Sequence, residues 1–271
     1  MSVTKEKPVT SNILQKEMNE LLEQNKRLDG RALEEHRKIT FDVGILEKAE
    51  GSAIVSLGDT IVLVGIKVEL GNPFPDTPNQ GVLTVNAELL PLASPSFEPG
   101  PPDETSIALA RYVDRSIRES KVLDLDSLVL IPGKLVYVVY VDVYVLDYGG
   151  NLIDASVLAA VKALENTTMN KYEVSGDAPR KTEEKISLPL KDRPVSTTFG
   201  IIGTKYFIDP NLEEEQASEG FLSFTFTKAG NVCAVMKNER GYVSPSQVLE
   251  MMETAWQKAK EIGAIMGWRS E

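Results

Sequence analysis

Four small groups of residues in this 271-residue chain have the types and spacing to do chemistry. The first is the turn Asp147-Tyr148-Gly149-Gly150-Asn151. It follows a run of valines and tyrosines and leads into a segment with apolar residues at helical spacing. Backbone amides at the start of a helix that leaves a strand form a natural seat for an anion. The second group is Arg111, Arg115 and Arg118, which at i, i+4 and i+7 share one helix face. They are either a phosphate-contact strip or a solvated face with Asp114 and Glu119 as ion-pair partners. The third is His36, the only histidine. A Ser-His-Asp triad or a histidine-rich metal site would rest on that one residue, so both are disfavoured and no metal is expected. The fourth is Cys233, the only cysteine, which excludes an internal disulfide and suits a reducing, cytoplasmic setting.

These groups need a scaffold, and the hydrophobic pattern supplies one. Leu135 to Leu146 is almost wholly Val, Tyr and Leu, with Asp142 as its one charge, and reads as a long central strand. The two glycines end it, and Ile153, Val157, Leu158, Val161 and Leu164 continue as a helix packed back on the sheet. Upstream, Ser11 to Arg27 reads as a helix with Ser11 as a candidate N-cap, followed by the polar turn Arg27-Leu28-Asp29-Gly30-Arg31. Period-two patterning predicts an antiparallel meander over Ile39–Leu46, Ser52–Leu57 and Thr60–Leu70, with a further strand at Val82–Leu90. The Pro-containing stretches 71–80 and 91–102 read as irregular. Glu104 to Ser120 is the helix that carries the arginines. The polar stretch Val174 to Lys185 reads as a bridge to a second half. That half has strands at Thr197–Ile202, Thr204–Ile208, Gly220–Lys228 and Asn231–Lys237 and a closing helix at Ser246–Met266.

Bulk composition narrows the classes. Hydrophobic residues make up 42% and charged residues 25%, ordinary for a globular protein. No apolar run reaches the ~18 residues of a transmembrane helix, so no membrane partner is expected. Residues 1–10 lack the apolar core of a secretory signal. A formal net charge of −11 is opposite to that of a general nucleic-acid coat protein, so any RNA contact must come from a local basic patch or a partner.

Several separated motifs, in order, give a more specific signal. They are Arg27–Arg31 (RLDGR), Glu50–Thr60 (EGSAIVSLGDT), Val85–Gly100 (VNAELLPLASPSFEPG) and Val113–Ser120 (VDRSIRES). Together they resemble the RNase PH family, most closely the non-catalytic RNase-PH-type subunits of the archaeal RNA exosome. The resemblance implies an α+β fold, the ribosomal-protein-S5-like duplicated βαβα unit. It spans residues 27–271 in two halves, with a bridge at about 174–194 and an added helical extension at 1–26. It also implies a hexameric ring in which three such chains alternate with three catalytic relatives, single-stranded RNA threaded through the pore, and cap proteins with S1, KH or zinc-ribbon modules. The complex would degrade RNA from its 3′ end with inorganic phosphate as nucleophile.

Active members of that family hold phosphate with a Gly-Ser/Thr-Arg turn entering a helix, because backbone donors, a hydroxyl and a guanidinium match phosphate geometry. The corresponding turn here is Gly149-Gly150-Asn151, which lacks the guanidinium, and Asp147 and Asp154 are expected to repel an anion. Active members also carry a pair of aspartates on an acidic loop. The matching segment is Asp209–Leu222, where Asp209 and Glu219 resemble family acids, Glu215 stands at the first catalytic position and Phe221 at the second. Phe can neither coordinate Mg²⁺ nor move a proton. Glu213–Glu215 reads as a solvated acidic loop. The resemblance therefore implies a subunit with no catalytic residue and no cofactor. It favours Arg111 and Arg115, and less strongly Arg118, as contacts to RNA phosphates. The alternatives are an active phosphorolytic exoribonuclease and an S5-like RNA-associated assembly module outside any exosome.

Overall fold

The computed structural model describes residues 9–175 and 178–268. Helix α1 (Val9–Glu23) is followed by strands β1 (Ile39–Val43), β2 (Gly51–Leu57), β3 (Thr60–Gly71) and β4 (Val82–Leu89), then helix α2 (Glu104–Glu119). Strands β5 (Val129–Ile131) and β6 (Leu135–Asp147) lead to helix α3 (Leu152–Glu165) and to the pair β7 (Thr168–Ser175) and β8 (Ala178–Ser187). The second half holds β9 (Val195–Ile202), β10 (Lys205–Ile208), helix α4 (Leu212–Ala217), β11 (Gly220–Phe226), β12 (Val232–Glu239) and helix α5 (Pro245–Met266).

The first sheet has the order β1-β2-β3-β6-β4, with β5 on β6, and the second has the order β10-β9-β11-β12. The long strand β6 lies between β3, antiparallel, and β4, parallel. Because β4 runs parallel to β6, the chain must cross back between them, and α2 is the crossover. Helices α2 and α3 pack side by side between the two sheets, and α5 covers the second sheet through β9 and β11. The layers run sheet, helix pair, sheet, helix. This α+β arrangement explains two sequence patterns that no single-faced element would show. Helix α3 is Ala- and Val-rich all round and buried along nearly its whole length, because it has a sheet on either side. All eight residues of β9 are buried, because helices cover both faces of its sheet.

Three expectations change. Helix α1 already runs from Val9, so Ser11 lies inside the helix and not at its cap; Pro8 lies outside the described residues. The polar stretch read as a bridge carries an antiparallel ribbon, β7 with β8. The ribbon can be polar because β8 is mostly exposed. The acidic segment is also not a solvated loop. Residues 212–217 form α4, whose N-cap Asn211 makes a capping box with Glu214. The helical turn points Glu214 fully inward, leaves Glu213 outside and half-buries Glu215.

Candidate functional site

The Gly-Gly turn sits where β6 ends against the start of α4. Gly150 has φ +92, and a Cβ there would meet the backbone of Asn211 at 2.5 Å, so only glycine fits. The turn is held from the far side. Thr60 Oγ1 donates to the Gly150 carbonyl at 2.5 Å, and the Arg37 guanidinium donates to the Gly149 carbonyl at 2.7 Å. Asn151, left-handed at φ 55, is the N-cap of α3, and its side chain accepts from the Asp154 amide.

Beyond this turn lies a cleft of ≈ 420 Å³ between α2, the start of α3, and β11 and β12. It brings together Asn151, Glu215 and Phe221, the positions singled out by the resemblance. The Glu215 carboxylate accepts from the Asn151 backbone amide at 2.6 Å and from the Tyr148 hydroxyl at 2.5 Å. Its charged neighbours in the cleft are Glu104 and Glu239, and no lysine or arginine lines it. Burial pushes the Glu215 carboxyl up, against those two hydrogen bonds and the field of Arg37. Burial, with the adjacent carboxylate, likewise raises the Tyr148 phenol above its ordinary range. Asp154 does not face the cleft as an anion repeller. It is fully buried and accepts from the Thr198 amide at 2.8 Å, the Thr198 hydroxyl at 2.9 Å and the Asn151 side chain at 2.8 Å. Burial nevertheless pushes its carboxyl up to about 6. Asp147 stays exposed at the end of β6.

Asp209 and Glu219, the other family-like acids, lie outside the cleft lining. Glu219 accepts from Gln15 of α1 and from the Gly203 amide. Asp209 is the centre of a buried ion network. Arg37 grips it with two guanidinium hydrogen bonds of 2.7 and 3.0 Å and a backbone amide bond of 2.8 Å, Arg31 adds one of 3.0 Å, and the Asn151 side chain donates at 2.7 Å. Burial alone would raise the Asp209 carboxyl, but Arg37 overrides it and holds the group well below the usual carboxylate range. One turn along α4, Glu214 is paired bidentately with Arg27 at 2.5 and 2.9 Å, and Arg27 lies 5.0 Å above the Phe207 ring. Both partners' side chains are fully buried. The residues read as a polar turn, Arg27–Arg31, are therefore the cationic side of the network that fixes α4 behind the cleft.

The three arginines of α2 divide. Arg118 donates to both oxygens of Asp114 and to the Leu83 carbonyl, the surface ion pair that the second of the two sequence readings allowed. Such a pair is worth about 0.3–0.5 kcal/mol. Arg111 and Arg115 are exposed, and among the described residues neither takes part in an ion pair. They line a separate groove of ≈ 540 Å³ between α2 and β4, together with Asn86, Glu88, Asp114 and Asp142. Helix α2 thus has one edge on the acidic cleft, through Glu104, Thr105 and Ala108, and presents its two unpaired arginines to a different groove.

His36 plays no part in the cleft. Its Nε2 is shut off from solvent without a hydrogen-bond partner, and burial lowers its pKa to about 4, against the field of Asp209. As pH falls, the unfolded chain therefore takes up this proton first. The stabilisation from a neutral His36 is full above about 6.5 and is lost as pH drops toward 4, by at most about 3 kcal/mol. Asp154, raised to about 6, acts with the opposite sign, because its folded form gains a proton first. A His36→Gln variant isolates the histidine. In urea titrations at pH 7, 5.5 and 4, wild type should lose stability relative to the variant as pH falls. A constant difference would rule out a buried neutral imidazole.

Sequence reasoning missed Tyr148 as a partner of Glu215, and it missed Arg27, Arg31 and Arg37 as the anchors of α4. Arg27 and Glu214 lie 187 positions apart, and no local pattern joins them. The one available signal was that Arg27 and Arg31, four apart, frame an Asp-Gly turn.

Comparison with known proteins places these features. The chain matches the 3′ exoribonuclease family, domain 1, over residues 35–170 and domain 2 over residues 192–258. It is 49% identical over 260 residues to the exosome complex component Rrp42 of Pyrococcus furiosus, covering 95% of this chain and 94% of that protein. Its fold is similar to a chain of the Archaeoglobus fulgidus exosome solved with RNA bound to the active site, with a TM-score of 0.88, 43% identity and coverage of 96% and 100% of the two chains. An archaeal exosome core chain follows at a TM-score of 0.83 and 40% identity, covering 94% of this chain and 96% of that one. Two matched domains that span most of the sequence, and relatives near half identity over nearly its whole length, establish that the chain is a member of the 3′ exoribonuclease family of RNase PH type.

Proposed function

We propose that this chain is a non-catalytic ring subunit of an exosome, the 3′-to-5′ phosphorolytic RNA-degrading complex, and that Arg111 and Arg115 hold RNA for a site outside it. One observation carries the reading. The cleft at the start of α3 has three carboxylates, Phe221 and no basic side chain, while the unpaired arginines open onto another groove. Phosphorolysis needs a phosphate held in line with the scissile bond and charge control at the leaving oxygen. An acidic cleft in which Phe221 replaces a carboxylate supplies neither. Arginines outside that cleft can still grip an extended strand whose reacting end lies in a neighbouring subunit, since a guanidinium pairs with phosphate oxygens bidentately and keeps its charge. Arg118, held by Asp114, is a weaker contact. The domain limits inferred above, residues 1–26 and 27–271, and a cytoplasmic location fit this role, as does a ring of three such chains alternating with three catalytic relatives under S1, KH or zinc-ribbon caps.

Two measurements test the reading. The isolated chain, given RNA and inorganic phosphate, should release no nucleoside diphosphate. Co-expressed with a catalytic relative, it should appear in native mass spectrometry as a closed three-plus-three hexamer. Phosphate-dependent release by the isolated chain would establish the active-enzyme alternative. A folded monomer that ignores the catalytic partner would favour an assembly module outside the exosome.

A further inference from the structure

Amides at the start of a long helix, next to a glycine turn, favour a bound anion whatever the family. In this chain an anion is already there, and it belongs to the chain. Glu215 places one carboxylate oxygen on the Asn151 amide at 2.6 Å and the other on the Tyr148 hydroxyl at 2.5 Å. We propose that Glu215 is a built-in anion that fills the seat at the start of α3 and thereby closes the cleft to inorganic phosphate. The inference rests on the non-catalytic reading and deepens it: the loss of phosphate binding comes from an occupied seat as well as from a missing guanidinium.

Three features hold the carboxylate in place. Gly150 lies against the Asn211 backbone, so turn and helix are in contact and the Glu215 side chain has the reach it needs. Helix α4 cannot easily withdraw, because Glu214 is locked to Arg27 and closes a capping box with Asn211. Helix α1, outside both matched family domains, covers α4 from behind, where Met18 and Leu22 cluster with Ala217 and Phe207. The remaining charged groups in the cleft, Glu104 and Glu239, offer no positive partner that could draw a phosphate past the carboxylate.

The test is a titration of the full chain with inorganic phosphate at constant ionic strength, followed by phosphorus NMR and thermal shift. Wild type should show no phosphate-specific effect. Glu215→Ala empties the seat and should gain phosphate affinity by about tenfold or more. Glu215→Gln keeps the side chain in place and one oxygen for the Asn151 amide, so it should behave like wild type. The proposal is overturned if the folded alanine variant gains nothing, if wild type binds phosphate as tightly, or if the glutamine variant gains as much as the alanine one, since charge and not occupancy would then decide. Should the alanine variant not fold, hydrogen exchange in wild type decides. The Asn151 amide should exchange as slowly as the interior of α3, and exchange at the rate of an exposed loop would overturn the assignment. The non-catalytic reading stands or falls separately, on nucleoside diphosphate release by wild type.

Discussion

Replacing Arg111 and Arg115 together by glutamate should weaken RNA binding by the assembled ring about tenfold or more at low salt and slow degradation in step, with the ring intact. The two side chains lie one helical turn apart on an exposed face and have no ion-pair partner among the described residues. Each is free to meet a phosphate of an extended strand. Phosphate contacts carry no base information, so purine-rich and pyrimidine-rich RNA should suffer alike. They also release counterions, so the plot of log affinity against log salt should lose about 1.4 from its slope, about 0.7 for each phosphate on a single strand. The same substitutions should leave stability within about 0.5 kcal/mol, because neither arginine holds anything in the fold. Binding titrations of the purified double variant at two salt concentrations check this. Unchanged affinity at low salt would leave the chain as scaffold only. Arg118→Ala should have a smaller effect, since its guanidinium is already engaged by Asp114 and the Leu83 carbonyl.

The largest effect on stability is expected at Arg27, far in sequence from the cleft. Removing one member of a buried ion pair strands the other charge out of water, and Arg27→Ala should therefore cost about 3–5 kcal/mol. Arg31, 3.5 Å from the same Glu214 oxygen, remains as a partial partner and moves the expectation toward the lower figure. Lost contacts to the Asp209 carbonyl and the Phe207 ring act the other way. Chemical denaturation of the folded variant measures the loss. Replacing both partners, as Arg27→Met with Glu214→Leu, should recover much of it, because no charge is then left unpaired. Equal losses in the single and double variants would mean that the pair holds α4 by shape and not by charge compensation. The location of damage is a further check: amides of α4 and of Asn151 should lose exchange protection first, since this pair anchors α4 behind the turn.

What the sequence determined by itself was whatever local periodicity controls. The β6 run, the Gly-Gly break and the apolar spacing of α3 could be read directly, because a long strand with one face buried and the other only partly exposed, and a helix buried all round, leave little room for polar residues. The arginine spacing on α2 and the departure from the family's phosphate turn at Asn151 were equally visible. The RNase PH resemblance rested on motifs that each lie within one short segment, and the matched domains bear it out. Only the tertiary structure decided what those polar residues do. It turned an acidic loop into α4, because a capping box and a buried arginine 187 positions away give its carboxylates partners that no sequence window contains. It sent Asp154 inward to Thr198, aimed Glu215 at the Asn151 amide and set the Asp209 carboxylate between two arginines. It also placed Arg111 and Arg115 in the lining of a groove other than the cleft. The physical reason is common to all of these. Apolar burial depends on the side of an element a residue faces, which sequence spacing encodes. The fate of a charge depends on which opposite charge the fold brings within about 3 Å.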